Sequence, residues 1–83
     1  MQVTFTRHAI DKFELLDKFG FKLSNEQVIS VITTPDKTET KGSQTFSMKA
    51  LDRELALRVV HERRKGIIVV ITFYPVKRKK YGL

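Results

Sequence analysis

The chain contains no cysteine, which excludes disulfides and thiolate metal sites. Its two histidines, His8 and His61, do not by themselves make a zinc site. No apolar run approaches the roughly 18 residues a membrane-spanning helix needs, and the N-terminus has no secretory apolar core. Glycine-rich phosphate loops, Ser-His-Asp sets, internal repeats, low-complexity tracts and linkers are missing too. The expectation is one soluble, cytoplasmic domain over residues 1–83, with no metal, cofactor or membrane partner.

A further absence is local. Residues 63–83 hold no acid, yet carry Arg63, Arg64, Lys65, Lys77, Arg78, Lys79 and Lys80. Residues 1–62 balance nine basic side chains against nine acidic ones, so the whole +7 excess lies in the final stretch. A one-sided basic patch is the footprint of a protein that meets phosphates. A solvated, solubilising tail is the alternative.

What is present is a folded core. Hydrophobic residues make up 41% of the chain and recur periodically, which argues against disorder. The most apolar and β-branched run, Ile67 to Tyr74, suits a central strand covered on both sides. Leu55 to Glu62 forms its antiparallel partner, with Arg58 in the middle. Arg64-Lys65-Gly66 suits a three-residue turn with Gly66 left-handed. That register sets Arg58 opposite Thr72, and Leu55, Leu57, Val59, Val69, Ile71 and Phe73 on one apolar face. A two- or four-residue loop would instead pair odd with even positions and set Arg58 beside Ile71 among apolar side chains. Burying an unpaired guanidinium costs several kcal/mol or more, as an order of magnitude, so the three-residue turn is preferred.

Upstream, Val3-Thr4-Phe5 reads as a short strand. Thr6 caps a helix from Arg7 to about Lys18, closed by Gly20 at C′ with Phe21 packing on Leu16. Ser24 and Gln27 form a capping box and Leu23 with Val28 a hydrophobic staple for a second helix, which Pro35 ends. Asp36–Lys41 reads as a polar edge strand and Gln44–Ala50 as its neighbour. The expected fold is α+β, in the order β-α-α-β-β-β-β. Its antiparallel sheet of about four to five strands carries both helices on one face. Arg58, Thr72 and Tyr74 fall on the uncovered face.

That placement defines the candidate site. A rigidly mounted Arg58 suits bidentate phosphate binding, or else an ion pair with Glu54 or Glu62. Thr72 either bonds a ligand or is simply a good strand former. His8, at N2 of the first helix, is a candidate base or anion ligand; a surface histidine bonded to a neighbour is the alternative. His61 reads as structural or exposed. Lys77, Arg78, Lys79 and Lys80, followed by Tyr81, suit RNA, where a tyrosine can stack on an unpaired base. Otherwise the tyrosine folds back on the sheet edge.

Three motifs also carry a resemblance over almost the whole chain. Thr6-Arg7-His8-Ala9 opens a helix, Leu57-Arg58-Val59-Val60 lies on a strand, and Ile68 to Pro75 follows. Together they resemble a small bacterial and archaeal family of unknown function related to BrnT- and RelE-type toxins, within the barnase–EndoU–colicin–RelE superfamily. The resemblance implies a RelE-like fold and metal-independent RNA cleavage, or RNA binding, on the open sheet face. It matches Arg58 to the mid-strand arginine of such toxins, and together with the residue reading the expected catalytic residues are His8, Arg58 and Tyr81, and the expected substrate contacts Thr72, Tyr74, Lys77, Arg78 and Lys79. Arg78 and Tyr81 are similar to the arginine–tyrosine ending of such toxins, at shorter spacing and without the histidine that precedes it there. RNA is the expected partner, with an acidic antitoxin-like protein as a further one. A non-catalytic module that grips RNA or such a protein is the rival.

Overall fold

The structure is a computed structural model, and it describes residues 2–83. Strand β1 (Val3–Phe5) leads into helices α1 (Arg7–Lys18) and α2 (Asn25–Thr33). Strands β2 (Lys37–Lys41), β3 (Gln44–Ala50), β4 (Leu55–Arg64) and β5 (Ile67–Lys77) follow, then a 3-10 turn at Arg78–Tyr81. The five strands form one sheet in the order β1-β5-β4-β3-β2. The α+β class and the element order are as expected. The sheet is mixed rather than antiparallel, because β1 enters parallel to β5 along its outer side.

Local chemistry explains the helix ends. Thr6 accepts from the Ala9 amide at 3.1 Å, satisfying one free donor of the first turn. At the far end Phe21 N–H donates to Leu16 C=O (2.9 Å) and Gly20 N–H to Asp17 C=O (3.0 Å). That is the Schellman pattern, and it requires the left-handed φ of +89° at Gly20. Helix α2 starts on the reciprocal Ser24–Gln27 bonds. Both helices pack on one face, where Ala9, Leu16, Val28 and Val31 meet Leu57, Val59, Val70 and Phe73.

The hairpin closes differently from expectation. Arg64 pairs with Ile67 across a two-residue turn, with Lys65 at φ 51° and Gly66 at φ 78°. Positive φ at both central residues matches the right-handed twist of the flanking strands. Left alone, that turn would pair odd positions with even ones. A bulge prevents it: His61 pairs with Val70 and Val60 with Thr72, which leaves Ile71 as the extra residue. Thr6 fixes the bulge, its amide donating to Val70 C=O and its hydroxyl to Ile71 C=O, both at 3.0 Å. Arg58 therefore faces Tyr74, not Thr72, and Val70 joins the helix-side core in place of Val69 and Ile71.

Candidate nucleic-acid interface

Register alone assembles the floor of the open face. Phe46, Val60 and Thr72 form one cross-strand row, Met48, Arg58 and Tyr74 the next, and Ala50, Ala56 and Val76 a third. No helix covers these rows, yet Met48, Ala56 and Val60 are buried. The 3-10 turn and the large side chains of the face itself do the covering. The expectation of a bare face is thus corrected: its floor is apolar and roofed around Arg58.

Arg58 stands on this floor among three rings. Its guanidinium carbon lies 4.5 Å from the Phe46 centroid, 5.1 Å from Tyr81 and 5.9 Å from Tyr74. Each such contact contributes about 0.5–2 kcal/mol, the more so when water is excluded. Nη1 donates to Tyr74 Oη at 2.8 Å, whereas Nε is buried with no acceptor. Among the described residues no carboxylate pairs with Arg58, so neither Glu54 nor Glu62 neutralises it. Glu62 instead holds Arg64 and the Ser43 hydroxyl. The result is an oriented cation, half-shielded from water, with Nη2 free and, among the described residues, no protein counter-ion. Thr72 Oγ1, on the neighbouring row, is likewise buried without a partner.

Two residues not anticipated from the sequence complete the cluster. Phe46 forms one wall, and Lys12 of α1 reaches round to within 5.9 Å of the Tyr74 ring. Helix β-sheet packing decides both, so the only advance signal was the alternation of Phe46 with Met48 along its strand. Tyr81 is placed from a distance as well: Lys37 Nζ donates to its carbonyl at 2.6 Å, from the far strand of the sheet.

The remaining sequence candidates divide. His8 is exposed in the first turn of α1, and no hydrogen bond links it to Arg58, Tyr74 or Tyr81. Arg78 anchors rather than reaches out, since its Nη1 donates to the carbonyls of Asp52 (2.9 Å) and Arg53 (3.4 Å). Lys77 and Lys79 are exposed beside it. The single basic patch read from residues 63–83 is in fact two. Arg63, Arg64 and Lys65 lie at the hairpin turn, whereas Lys77 to Lys80 lie at the open end of the same ladder, about 30 Å away at the usual strand rise. Only the second cluster adjoins Tyr81.

His61 is structural. It is buried on the helix side, with Nε2 2.8 Å from the buried Ser47 hydroxyl. Burial lowers its pKa, because the charged imidazolium would lose hydration. No group of His, Cys, Asp or Glu among the described residues is arranged to hold a metal. Among the described residues no helix is long and apolar enough to cross a membrane. What the face can do is receive an anion at Arg58 and a flat group against its aromatic walls. No family model matches the chain, and neither a curated protein nor a solved structure proves significantly similar to it.

Proposed function

We propose that this chain engages single-stranded RNA on the open face of its sheet. A phosphate sits on the free edge of Arg58, and an unpaired base stacks against Tyr81 or Phe46. The observation that carries this reading is the Arg58 guanidinium itself, oriented by Tyr74, walled by rings, and without a carboxylate partner among the described residues. Nη2, which makes no hydrogen bond and unlike Nε is not sealed from water, is the donor that a phosphate oxygen can reach. The net charge of +7 draws polyanions to the surface. Aromatic stacking then accepts any base, at about 1–3 kcal/mol per base. The element order β-α-α-β-β-β-β is the one expected from the sequence.

Cleavage is a second reading, favoured by one specific contact. Tyr74 Oη lies against Arg58 Nη1, beside the position a bound phosphate would take. There the ribose 2′-oxygen attacks the adjacent phosphorus and the bond to the 5′-oxygen breaks. A 2′,3′-cyclic phosphate and a 5′-hydroxyl result, while Arg58 neutralises the developing charge. Tyr74 or Tyr81 would carry the proton; His8, off the cluster, has no geometric support for that role. Incubating the protein with total RNA in EDTA separates the two readings. Salt-sensitive shifts of intact RNA mark a binder, and cyclic-phosphate fragments that vanish with Arg58→Ala mark a nuclease. Neither effect from well-folded protein would overturn the proposal.

A further inference from the structure

At the open end of the β4–β5 ladder, the turn after β3, the end of β5 and the 3-10 turn enclose a cleft of about 290 Å³. It is lined by Arg53, Glu54, Lys77, Arg78, Lys79 and Leu83. Four of these six are cations, crowded against one another at a cost in mutual repulsion. Glu54, the one acid of the lining, makes no ion pair with them, and Asp52 offsets them only in part. Asp52 directs Oδ1 to the amides of Glu54 and Leu55, both at 2.8 Å, which together with the positive field of Arg78 keep its carboxyl ionised and its pKa lowered. Among the described residues no ion pair joins Arg53, Lys77, Arg78 or Lys79 to a carboxylate.

Arg78 is the fixed member of the group. Two backbone carbonyls hold its Nη1, and its own amide donates to Glu54 C=O at 2.9 Å. Its Nε is nonetheless buried without an acceptor, the same condition as Arg58. With Nη1 locked and Nε sealed, Nη2 is the donor left open, held in place in advance for an anion. Arg53 and Lys79 are exposed and make no side-chain hydrogen bond, so they are free to close over a ligand. The volume is ample for a phosphate with its sugar and lies near the lower bound of small-ligand pockets.

We infer that this cleft is a second anion site, one that takes a phosphate ester. Leu55 pairs with Lys77 and Arg58 with Tyr74, three residues apart, so the two rows lie about 10 Å apart along the strand, with Lys77 on the opposite face and the 3-10 turn carrying Arg78 and Lys79 past the strand end. Neighbouring phosphates of one extended strand can occupy both. The identity of that strand as RNA rests on the function proposed above; the anion site does not.

The test uses the full chain at fixed ionic strength, with inorganic phosphate replacing chloride and amide and arginine Nε–H resonances followed by NMR. The Arg78 Nε–H signal and the amides of residues 77–79 should shift and saturate. Arg53→Ala with Lys79→Ala, which removes no contact of the fold, should weaken that saturation at least fivefold. Shifts that never saturate, or that survive the double variant unchanged, overturn the inference. A second arm compares one oligoribonucleotide with and without a 5′-phosphate. The double variant should bind either about tenfold more weakly, with a salt slope reduced by about one to two. A larger loss for the phosphorylated strand identifies a terminal phosphate as the occupant, and equal losses identify an internal one. If RNA binds wild type and double variant alike, the cleft is no part of the RNA path, while the Arg58 face stands. If phosphate saturates the cleft but no RNA binds, the anion site stands and the RNA reading falls.

Discussion

A guanidinium at position 58 costs free energy wherever the sheet puts it. On the helix side it would displace core side chains; on the open side it still loses water to Phe46, Tyr74 and Tyr81. What makes the open side tolerable is that the Nη1 bond to Tyr74 and the ring faces replace part of the lost hydration. His61 shows the opposite solution on the helix side, where a neutral imidazole and the Ser47 hydroxyl satisfy one another. Its lowered pKa has a consequence for stability. In the unfolded chain histidine titrates near about 6.5, so between that value and the lower folded one the unfolded state binds the extra proton. Folding stability is therefore complete above about pH 6.5 and declines as pH falls below it. Urea unfolding at pH 7.5 and pH 5.0 should show this loss in the wild type and a smaller loss in His61→Gln. Equal losses in both would show that His61 is not the group responsible.

Among the elements, the bulge at Ile71 decides more than any helix. The two-residue turn by itself would have set Arg58 opposite Phe73, among apolar side chains; one extra residue on β5 restores the faces for the whole lower half of the hairpin. Thr6 ties that residue to the start of α1, so a helix cap and a strand defect stabilise each other. Thr6→Ala removes both bonds and should cost about 1–2 kcal/mol in chemical denaturation. A change under about 0.3 kcal/mol would mean the cap is not holding the bulge. At the hairpin turn, Lys65 sits at φ 51°, where a side chain is strained. Lys65→Asn should stabilise the fold by about 0.5–1 kcal/mol, read as a higher denaturant midpoint at unchanged slope. The helix closures at Gly20 and Ser24 were legible in the sequence, because each is settled within a few residues by its own hydrogen bonds. The turn length was not legible. Arg64-Lys65-Gly66 suits either loop, and only Thr6, 65 residues away from Ile71, settles which one forms.

Across the whole molecule, charge that is contiguous in the sequence is split by the fold. The hairpin carries Arg63, Arg64 and Lys65 to one end and Lys77 to Lys80 to the other. The side chains that gather at Arg58 come from α1, β3, β4, β5 and the 3-10 turn. The placing of Arg58 and Tyr74 on one open face was legible from strand alternation. The walls supplied by Phe46 and Tyr81, and the reach of Lys12, were not, because they depend on β3 pairing and on a turn anchored by Arg78 to residues 52 and 53. An extended strand laid from Arg58 toward the Lys77–Lys80 end would meet rings and cations together. The hairpin-turn cluster would then contribute attraction at long range and little contact.

Fluorescence anisotropy of a short labelled oligoribonucleotide, titrated with wild type, Arg58→Ala and Arg58→Lys at several salt concentrations, addresses the central claim most directly. Circular dichroism would confirm that each variant is folded. The Arg58 site predicts at least a tenfold loss of affinity for Arg58→Ala, and a salt slope lower by about one. Arg58→Lys should recover the slope without the full affinity, because an ammonium keeps the charge and loses the planar fork. Equal affinity and equal slope for wild type and folded Arg58→Ala would contradict the account.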